Sequence, residues 1–571
     1  MTRRHPPTQP GRVRLARFGA GVAAPAGVGA LIALGQAPLG WWWVSLAALS
    51  MLFHCAVQSR GPRATALLFW AAGTGYFLAA LFWLVEPFLI APERHAWMAP
   101  FALLMMAGGL ALFWALAGWL GAWLTRWPGP AGLPRLLALA FSFVAAEWAR
   151  GYVFTGFPWA LLGHIWTDTP VAQLAAITGP LGLSLLTVLP VALLVWAVTG
   201  SAPSRGASSA GMGQTSVRVL SAPSRDAVSS KANAGPLRAA ALVIAVSAVA
   251  GAWLWGQARL AQPMPAPAQS VQLRLVQPNA PQAEKWRYDL AEMFFYRHLY
   301  LSAAPPRADT PPPDLVIWSE TAVPFLLDTM GVGLQMSADA AAPARLALGV
   351  QRSDEEGRFF NSLAVLGADG QPTHVYDKHH LVPFGEYVPF ADALLGANYA
   401  GFAARQLQGY SPGPGPQLLD LGALDNDGPG QGGQEPKNLG RVLPLICYEA
   451  VFPRHLRTEV RPDWVLQVTN DAWFGALTGP YQHLAQARLR AVEQGLPLVR
   501  VANTGVSAII DARGQVLAAL PLNTLGALDG AVPGALPPTP YARFGDLPIG
   551  VLLVAGLTLL ALRRRNMAAA H

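Results

Sequence analysis

The sequence predicts a multi-pass α-helical membrane bundle of about eight spans joined to one layered α/β domain, from three observations. Hydrophobic residues make up 53% of the 571-residue chain and charged residues only 13%, against about 25% charged in ordinary globular proteins. Apolar runs near the length needed to cross a bilayer, about 20 residues, recur through the first 257 positions and appear once more near the end. Between them lies a polar stretch of about 290 residues, enough for a whole enzyme domain.

Seven apolar runs precede the polar stretch: Phe18–Leu34, Pro38–Val57, Ala64–Val85, Trp97–Leu124, Arg135–Ala149, Ala175–Val198 and Ala239–Trp255. An eighth, Leu547–Leu562, follows it. The fifth is short and contains Glu147, an ionisable residue that reads as a functional hint when it sits near a span. The first run leads straight into the second, so it reads as an uncleaved anchor and not a signal peptide. The 20 tryptophans fit bilayer interfaces.

Basic residues set the expected orientation. Arg3, Arg4, Arg12, Arg14 and Arg17 precede the first run, and Arg563, Arg564 and Arg565 follow the last. Arg60 and Arg63, Arg126 and Arg135, and Arg205 to Arg238 occupy alternate connections. With eight spans these segments share one side, which the positive-inside rule makes cytoplasmic, together with both termini. The polar domain then lies outside the cytoplasm. The formal charge of +8 is thereby assigned to topology and anionic lipid, not to nucleic acid. The expected units are residues 1–257 for the bundle, 271–530 for the catalytic domain and 547–562 for the last span. Within the first, residues 201–237 are rich in Ser, Ala and Gly, repeat SAPSR, and read as a disordered cytoplasmic linker. Gly422–Asn438 reads as a surface insertion.

The polar stretch mixes strand and helix signals. Val271, Leu273 and Leu275 alternate; Leu315–Trp318, Arg441–Ile446 and Trp464–Thr469 are short apolar runs suited to buried strands. Asn361–Lys378 reads as a hairpin turning at Ala368-Asp369-Gly370. Helices are expected near Glu284–Leu301 and at Tyr481–Gln494, the latter stopped by Gly495.

Three of these strands end in reactive residues: Glu320 after Leu315–Trp318, Lys378 after the hairpin, and Cys447 after Arg441–Ile446. Sites form at strand ends in layered α/β folds. A carboxylate can take a thiol proton, and an ammonium can stabilise the thiolate and the oxyanion that follows. Each residue alone also suits a bland role: a buried small hydrophobe for Cys447, a helix cap for Glu320, a solvated surface lysine for Lys378. Cys55 and Cys447 lie too far apart in character to suggest a disulfide. His379 and His380 lack ligand-spaced companions, so no metal and no cofactor are expected.

Together the segments resemble the nitrilase superfamily of carbon–nitrogen hydrolases: Glu320 in WSETAVP, Lys378 in YDKHHLVPFGEYVP and Cys447 in ICYE. The resemblance implies a Glu–Lys–Cys triad on an αββα sandwich. With the membrane helices, and with Gly156-Phe157-Pro158-Trp159, Gln277-Pro278-Asn279, Phe360-Asn361-Ser362 and Thr469–Gly475, the chain is similar to bacterial apolipoprotein N-acyltransferases. That implies a phospholipid acyl donor, a thioester on Cys447, and a diacylated apolipoprotein acceptor, with Lys378 and the Tyr448 N–H as the oxyanion partners. A monomer surrounded by membrane lipids is expected. Glu386 is a candidate for binding the amine or positioning Lys378, and Glu449 for bracing the turn after Cys447. Trp286, Tyr387 and Trp473 are candidates for lining an acyl or headgroup pocket, with core packing as the alternative. Loops Tyr387–Phe390 and Trp473–Leu477 are candidate lids. A membrane-tethered amidase using water, or a membrane protein with an inactive domain, are the competing readings.

Overall fold

The computed structural model describes residues 10–126, 132–199, 234–306, 310–389, 409–422 and 437–569. Most of the 201–237 linker and of the 422–438 insertion, and Phe390, lie outside the described residues.

Every predicted apolar run falls on helix: α1 (Pro10–Ala33), α2 (Trp42–Gln58), α3 (Pro62–Ala80), α4 (Ala99–Leu124), α5 (Leu133–Arg150), α6 (Ala175–Thr199), α7 (Ala234–Ala261) and, after the polar domain, α11 (Leu547–Ala569). Among the described residues four stretches are long and apolar enough to cross a membrane: Pro92–Leu124, Pro170–Thr199, Gly235–Ala261 and Leu547–Met567. A fifth arises if α3 and the bent segment Phe82–Leu89 are one span with a 49° break. The expected eight exceeds this count for identifiable reasons. Helix α2 has 17 residues, about 26 Å of helix against a hydrocarbon core of about 30 Å. Helix α5 carries Arg135, Glu147 and Arg150 within 18 residues.

Those three charges point inward and are buried. Arg135 donates to the Ser59 carbonyl and hydroxyl and to the Thr65 hydroxyl. Arg150 donates to the carbonyls of Phe157 and Trp159 at 2.8 and 2.7 Å. Glu147 Oε1 accepts the Leu162 N–H at 2.9 Å. A non-helical stretch inside an apolar bundle must have its backbone groups satisfied by protein, and Glu147 and Arg150 do this for the Phe157–Leu162 segment.

The polar domain is two six-stranded sheets packed face to face. One runs β12-β1-β2-β3-β4-β5 and the other β11-β10-β9-β8-β7-β6. The first contains β1 (Gln272–Gln277), β2 (Leu315–Trp318), β3 (Arg345–Ser353), β4 (Phe359–Leu366), β5 (Pro372–Asp377) and β12 (Gly526–Ala531). The second contains β6 (Leu419–Asp420), β7 (Arg441–Ile446), β8 (Trp464–Thr469), β9 (Leu498–Ala502), β10 (Ser507–Ile510) and β11 (Val516–Leu520). Strands β1, β2 and β3 are parallel, as are β7, β8 and β9. Alternate residues Leu273, Leu275 and Ile317 meet Val442, Ile446, Leu466 and Val499 between the sheets. The opposite faces are covered by helices: α8 (Tyr288–Ala303) and α9 (Val332–Ala341) on the first sheet, and α10 (Gly479–Gln494) on the second. With both faces buried, these strands read as continuous apolar runs. Helix α8 starts four residues later than Glu284, because Pro281–Lys285 closes a turn of its own.

The sandwich sits directly on the bundle. Tyr448, Val451 and Phe452, just after Cys447, belong to the same hydrophobic cluster as Phe77, Trp114, Phe143 and Trp159. The Trp159 indole donates to Gln482 Oε1 at 2.7 Å, and Gln482 Nε2 donates to the Ala80 carbonyl at 3.0 Å. Gln482→Leu strands a buried donor and a buried acceptor, at about 1–3 kcal/mol each. A lower melting temperature of the detergent-solubilised protein is expected; an unchanged one would mean the contact carries no stability.

Candidate active site

Glu320, Lys378 and Cys447 follow β2, β5 and β7, so two come from one sheet and one from the other, and they converge across the sandwich. All three are buried. Lys378 Nζ lies 3.3 Å from Glu320 Oε1 and 2.8 Å from Glu386 Oε1. Asn361 Nδ2 donates to the same two oxygens at 2.7 and 3.1 Å. The remaining carboxylate oxygens are held by backbone: Asn470 N–H on Glu320 Oε2 and Val382 N–H on Glu386 Oε2, both at 2.8 Å.

Burial alone would lower the Lys378 pKa, but Glu386 and Glu320 hold it well above the usual lysine value. It is a permanent ammonium. Burial and then the Glu320 charge push the Cys447 thiol up, with Lys378 pulling the other way. Burial therefore favours the neutral thiol, and the charges of Glu320 and Asp471 push the same way. Cys447 itself has φ +52°, a left-handed conformation unusual for a non-glycine residue. It opens a short 3₁₀ helix, Cys447–Val451. The Tyr448 N–H lies in the first turn of that helix, where N–H groups have no partner inside the helix.

The structure brings Glu386 to Lys378 as a positioning carboxylate. Glu449 is placed differently. Its Oε2 accepts the Ile446 N–H at 2.7 Å and the Tyr376 hydroxyl at 2.9 Å; its Oε1 accepts the His379 and His380 N–H groups at 2.7 and 3.2 Å. It ties the turn at Cys447 to the segment that follows Lys378. Burial opposes its ionisation, but the hydrogen bond and charge of His379 hold its carboxyl below the usual value. Tyr448 donates its hydroxyl to the Gly156 carbonyl at 3.3 Å, anchoring the same turn to the bundle.

Trp286 stands beside Lys285, whose Nζ lies 5.0 Å from the ring centre. Tyr387 is half-buried against Leu381 and Tyr410. Trp473 is half-buried in the Asp471–Phe474 turn, whereas its neighbour Phe474 packs against Trp83 and Trp159, with ring centres 4.8 and 5.7 Å away. Sequence reasoning gave no role to Asn361, to Asn470, or to Lys285, which donates to the Glu320 carbonyl at 3.2 Å. Tyr410, whose phenol is raised by burial and by Glu386 and Glu320, was missed altogether. Asn361 and Asn470 sat in quoted motifs, where a polar residue at a strand end was the available signal. Tyr410 has no periodic or motif context. Among the described residues no three His, Cys, Asp or Glu side chains are grouped to hold a metal ion.

A Glu, a Lys and a Cys at strand ends of a helix–sheet–sheet–helix sandwich define a carbon–nitrogen hydrolase fold. The family profile described as carbon-nitrogen hydrolase matches residues 272–537, and that for the apolipoprotein N-acyltransferase N-terminal domain matches residues 28–193. The apolipoprotein N-acyltransferase of Rhodopseudomonas palustris is 35% identical over 558 residues, covering 94% of both chains. That of Sinorhizobium fredii is 37% identical over 477 residues, covering 82% of this chain and 80% of its own. The chain belongs to the apolipoprotein N-acyltransferase family. Among solved structures, a mutant amidase from Nesterenkonia sp. AN1 is 15% identical with a TM-score of 0.33, covering 51% of this chain and 99% of that one.

Two outcomes follow from the packing around Glu320. A Cβ on Gly349 would fall 2.3 Å from the Ser319 carbonyl oxygen and 2.7 Å from Glu320 Cα, both backbone. Gly349→Ala is expected to destabilise by about 1–3 kcal/mol and to slow iodoacetamide labelling of Cys447; wild-type labelling would show that Glu320 tolerates the shift. Burial lowers Lys285 to about 7, with Glu320 pulling upward. The unfolded chain titrates near 10.4, so between those values it binds a proton that the folded chain does not, and stability rises with pH. Lys285→Met is expected to raise the melting temperature most near pH 7, with the gain over wild type shrinking toward pH 10.

Proposed function

We propose that this protein moves an acyl chain from a phospholipid, through a thioester on Cys447, to the N-terminal amine of a diacylglyceryl-cysteine lipoprotein. The observation that carries this is the seat of the nucleophile's own turn: Tyr448, Val451 and Phe452 are packed into the core of the membrane bundle. Each acyl methylene drawn into water costs about 0.8 kcal/mol, so a nucleophile held at the bilayer suits substrates that stay in it.

In the first half-reaction Glu320 takes the Sγ proton and the thiolate attacks the donor's ester carbonyl. The Lys378 ammonium and the Tyr448 N–H stabilise the tetrahedral oxyanion. Its collapse breaks the ester C–O bond; the lysophospholipid alkoxide takes the proton from Glu320 and leaves. In the second half the acceptor amine attacks the thioester carbonyl, gives a proton to Glu320, and Cys447 leaves as thiolate and is reprotonated. This is ping-pong covalent catalysis. Asn361 and Glu386 keep Lys378 in place throughout.

The same proposal includes the membrane layout. Residues 1–257 form a bundle of seven spans and 547–562 an eighth, with both termini cytoplasmic. The 271–530 domain lies on the periplasmic face of a bacterial inner membrane, in a chain that works as a monomer. Support comes from the helix that underlies each of the eight apolar runs and from the placement of Arg60, Arg63, Arg126 and Arg563–Arg565 on alternate connections.

Intact-mass spectrometry after incubation with phospholipid tests the chemistry. The expected result is a gain of one acyl chain at Cys447, discharged by a diacylglyceryl-cysteine peptide. Cys447→Ala abolishes the adduct, and Glu320→Gln slows it by about 10²–10⁴-fold, the usual worth of a general base. Free fatty acid released with no amide product would identify a hydrolase and overturn the proposal.

A further inference from the structure

Around the backbone carbonyl of Cys447 lies a fully buried polar chain that the mechanism above does not use. The Cys447 carbonyl oxygen is 3.3 Å from Gln467 Nε2 and 3.1 Å from His483 Nε2. Gln467 Nε2 and His483 Nε2 are 3.0 Å apart. His483 Nδ1 is 3.0 Å from Asp471 Oδ1, which also accepts the Thr469 hydroxyl at 2.9 Å. Arg500 pairs with Asp471 Oδ2 and donates to Gln467 Oε1 at 2.7 Å. Asp471, His483, Gln467 and Arg500 are completely enclosed.

The protons in this chain are fixed by its donors. Arg500 has only donors, so Gln467 must present its carbonyl to it and its NH₂ to Cys447 and His483. Burial would raise the Asp471 carboxyl, but Arg500 and His483 hold it down to about 2, so it accepts the His483 Nδ1–H. Burial and the Arg500 charge depress His483. Its Nε2 sits between Gln467 Nε2 and the Cys447 carbonyl, so the ring and the Gln467 amide converge on that one oxygen. A hydrogen bond at one ring nitrogen sets what the other can do.

We propose that His483 is a positioning residue for the acyl transfer: its ring, fastened by Asp471, and the Gln467 amide together hold the Cys447 carbonyl and with it the nucleophile's left-handed backbone. A non-glycine residue in that conformation persists only where its surroundings over-determine it. The contacts on the Cys447 carbonyl supply that constraint. The same ring stacks on Trp159 and Phe474, with centres 5.5 Å from each, and Gln482, its neighbour on α10, is bonded to the bundle. The nucleophile's geometry is thus referenced to the membrane helices through α10.

This rests on Cys447 being the nucleophile, and the readouts separate the two. His483→Phe keeps the aromatic packing and removes both ring nitrogens. We expect a folded protein whose Cys447 is alkylated by iodoacetamide about tenfold more slowly. Its kcat for acyl transfer falls to match while KM for phospholipid stays put, since His483 touches no substrate. His483→Gln, whose side-chain carbonyl can accept from Gln467, recovers most of the rate. Should His483→Phe fail to fold, Gln467→Met removes the donor to Cys447 and is expected to show the same split. Wild-type alkylation in a folded His483→Phe or Gln467→Met overturns the proposal, as does a rate loss that merely follows the melting temperature. Wild-type protein that alkylates at Cys447 but never acquires an acyl chain overturns the proposed function and leaves this positioning role standing.

Discussion

The site depends on one buried ammonium between two buried carboxylates. Lys378 bridges Glu320 and Glu386. Buried charge is expensive to leave without partners, and the protein supplies fixed donors: Asn361 across both carboxyl groups and backbone N–H groups on the outer oxygens. In the proposed transfer, uptake of the Cys447 proton by Glu320 passes the negative charge from oxygen to sulfur while Lys378 stays paired with Glu320. Burial favours the protonated thiol until that step.

The bundle obeys the same rule with different groups. Helix α5 read as the weakest span because it is short and contains Glu147; it also carries Arg135 and Arg150. In the fold those residues satisfy the backbone of the irregular Phe157–Leu162 segment and of the α2–α3 junction. The segment they fasten presents Trp159 to α10 and Gly156 to Tyr448. Charges that are costly in lipid are thus the reason that a non-helical stretch can lie at the junction between the membrane helices and the catalytic sandwich.

This division explains what was legible in the sequence. Glu320 and Cys447 could be found because each follows a short apolar run that becomes a buried strand; Lys378 follows the polar strand Pro372–Asp377 and stood out only within the three-residue set. The runs pointed to a layered α/β domain, and the two-sheet sandwich came from the family resemblance. The span count was not legible to the same degree, since hydropathy cannot tell a charge that faces lipid from one that caps a buried loop, and α2 is simply short. Glu449 could be suspected as a brace for its turn, but its bond to Tyr376 spans 73 positions of chain. Asn361, Tyr410 and His483 act through partners that only the tertiary fold supplies; His483 in particular reads as an ordinary helical residue until β8 and β9 are placed beneath it.

The contrast between the two polar networks at Cys447 indicates how the fold separates chemistry from support. In the proposed transfer a proton moves between Cys447 and Glu320 while Lys378 stays an ammonium. Around the Cys447 carbonyl lies a closed network: Arg500 pairs with Asp471, Asp471 with His483, and Gln467 links Arg500, His483 and the carbonyl. Low dielectric strengthens a fully satisfied network and penalises a broken one, so the network at the carbonyl is stiff. The left-handed residue is thereby held through its carbonyl by a network distinct from the Lys378–Glu320–Glu386 cluster, and Thr469, which bonds Asp471, links that network to the thiol.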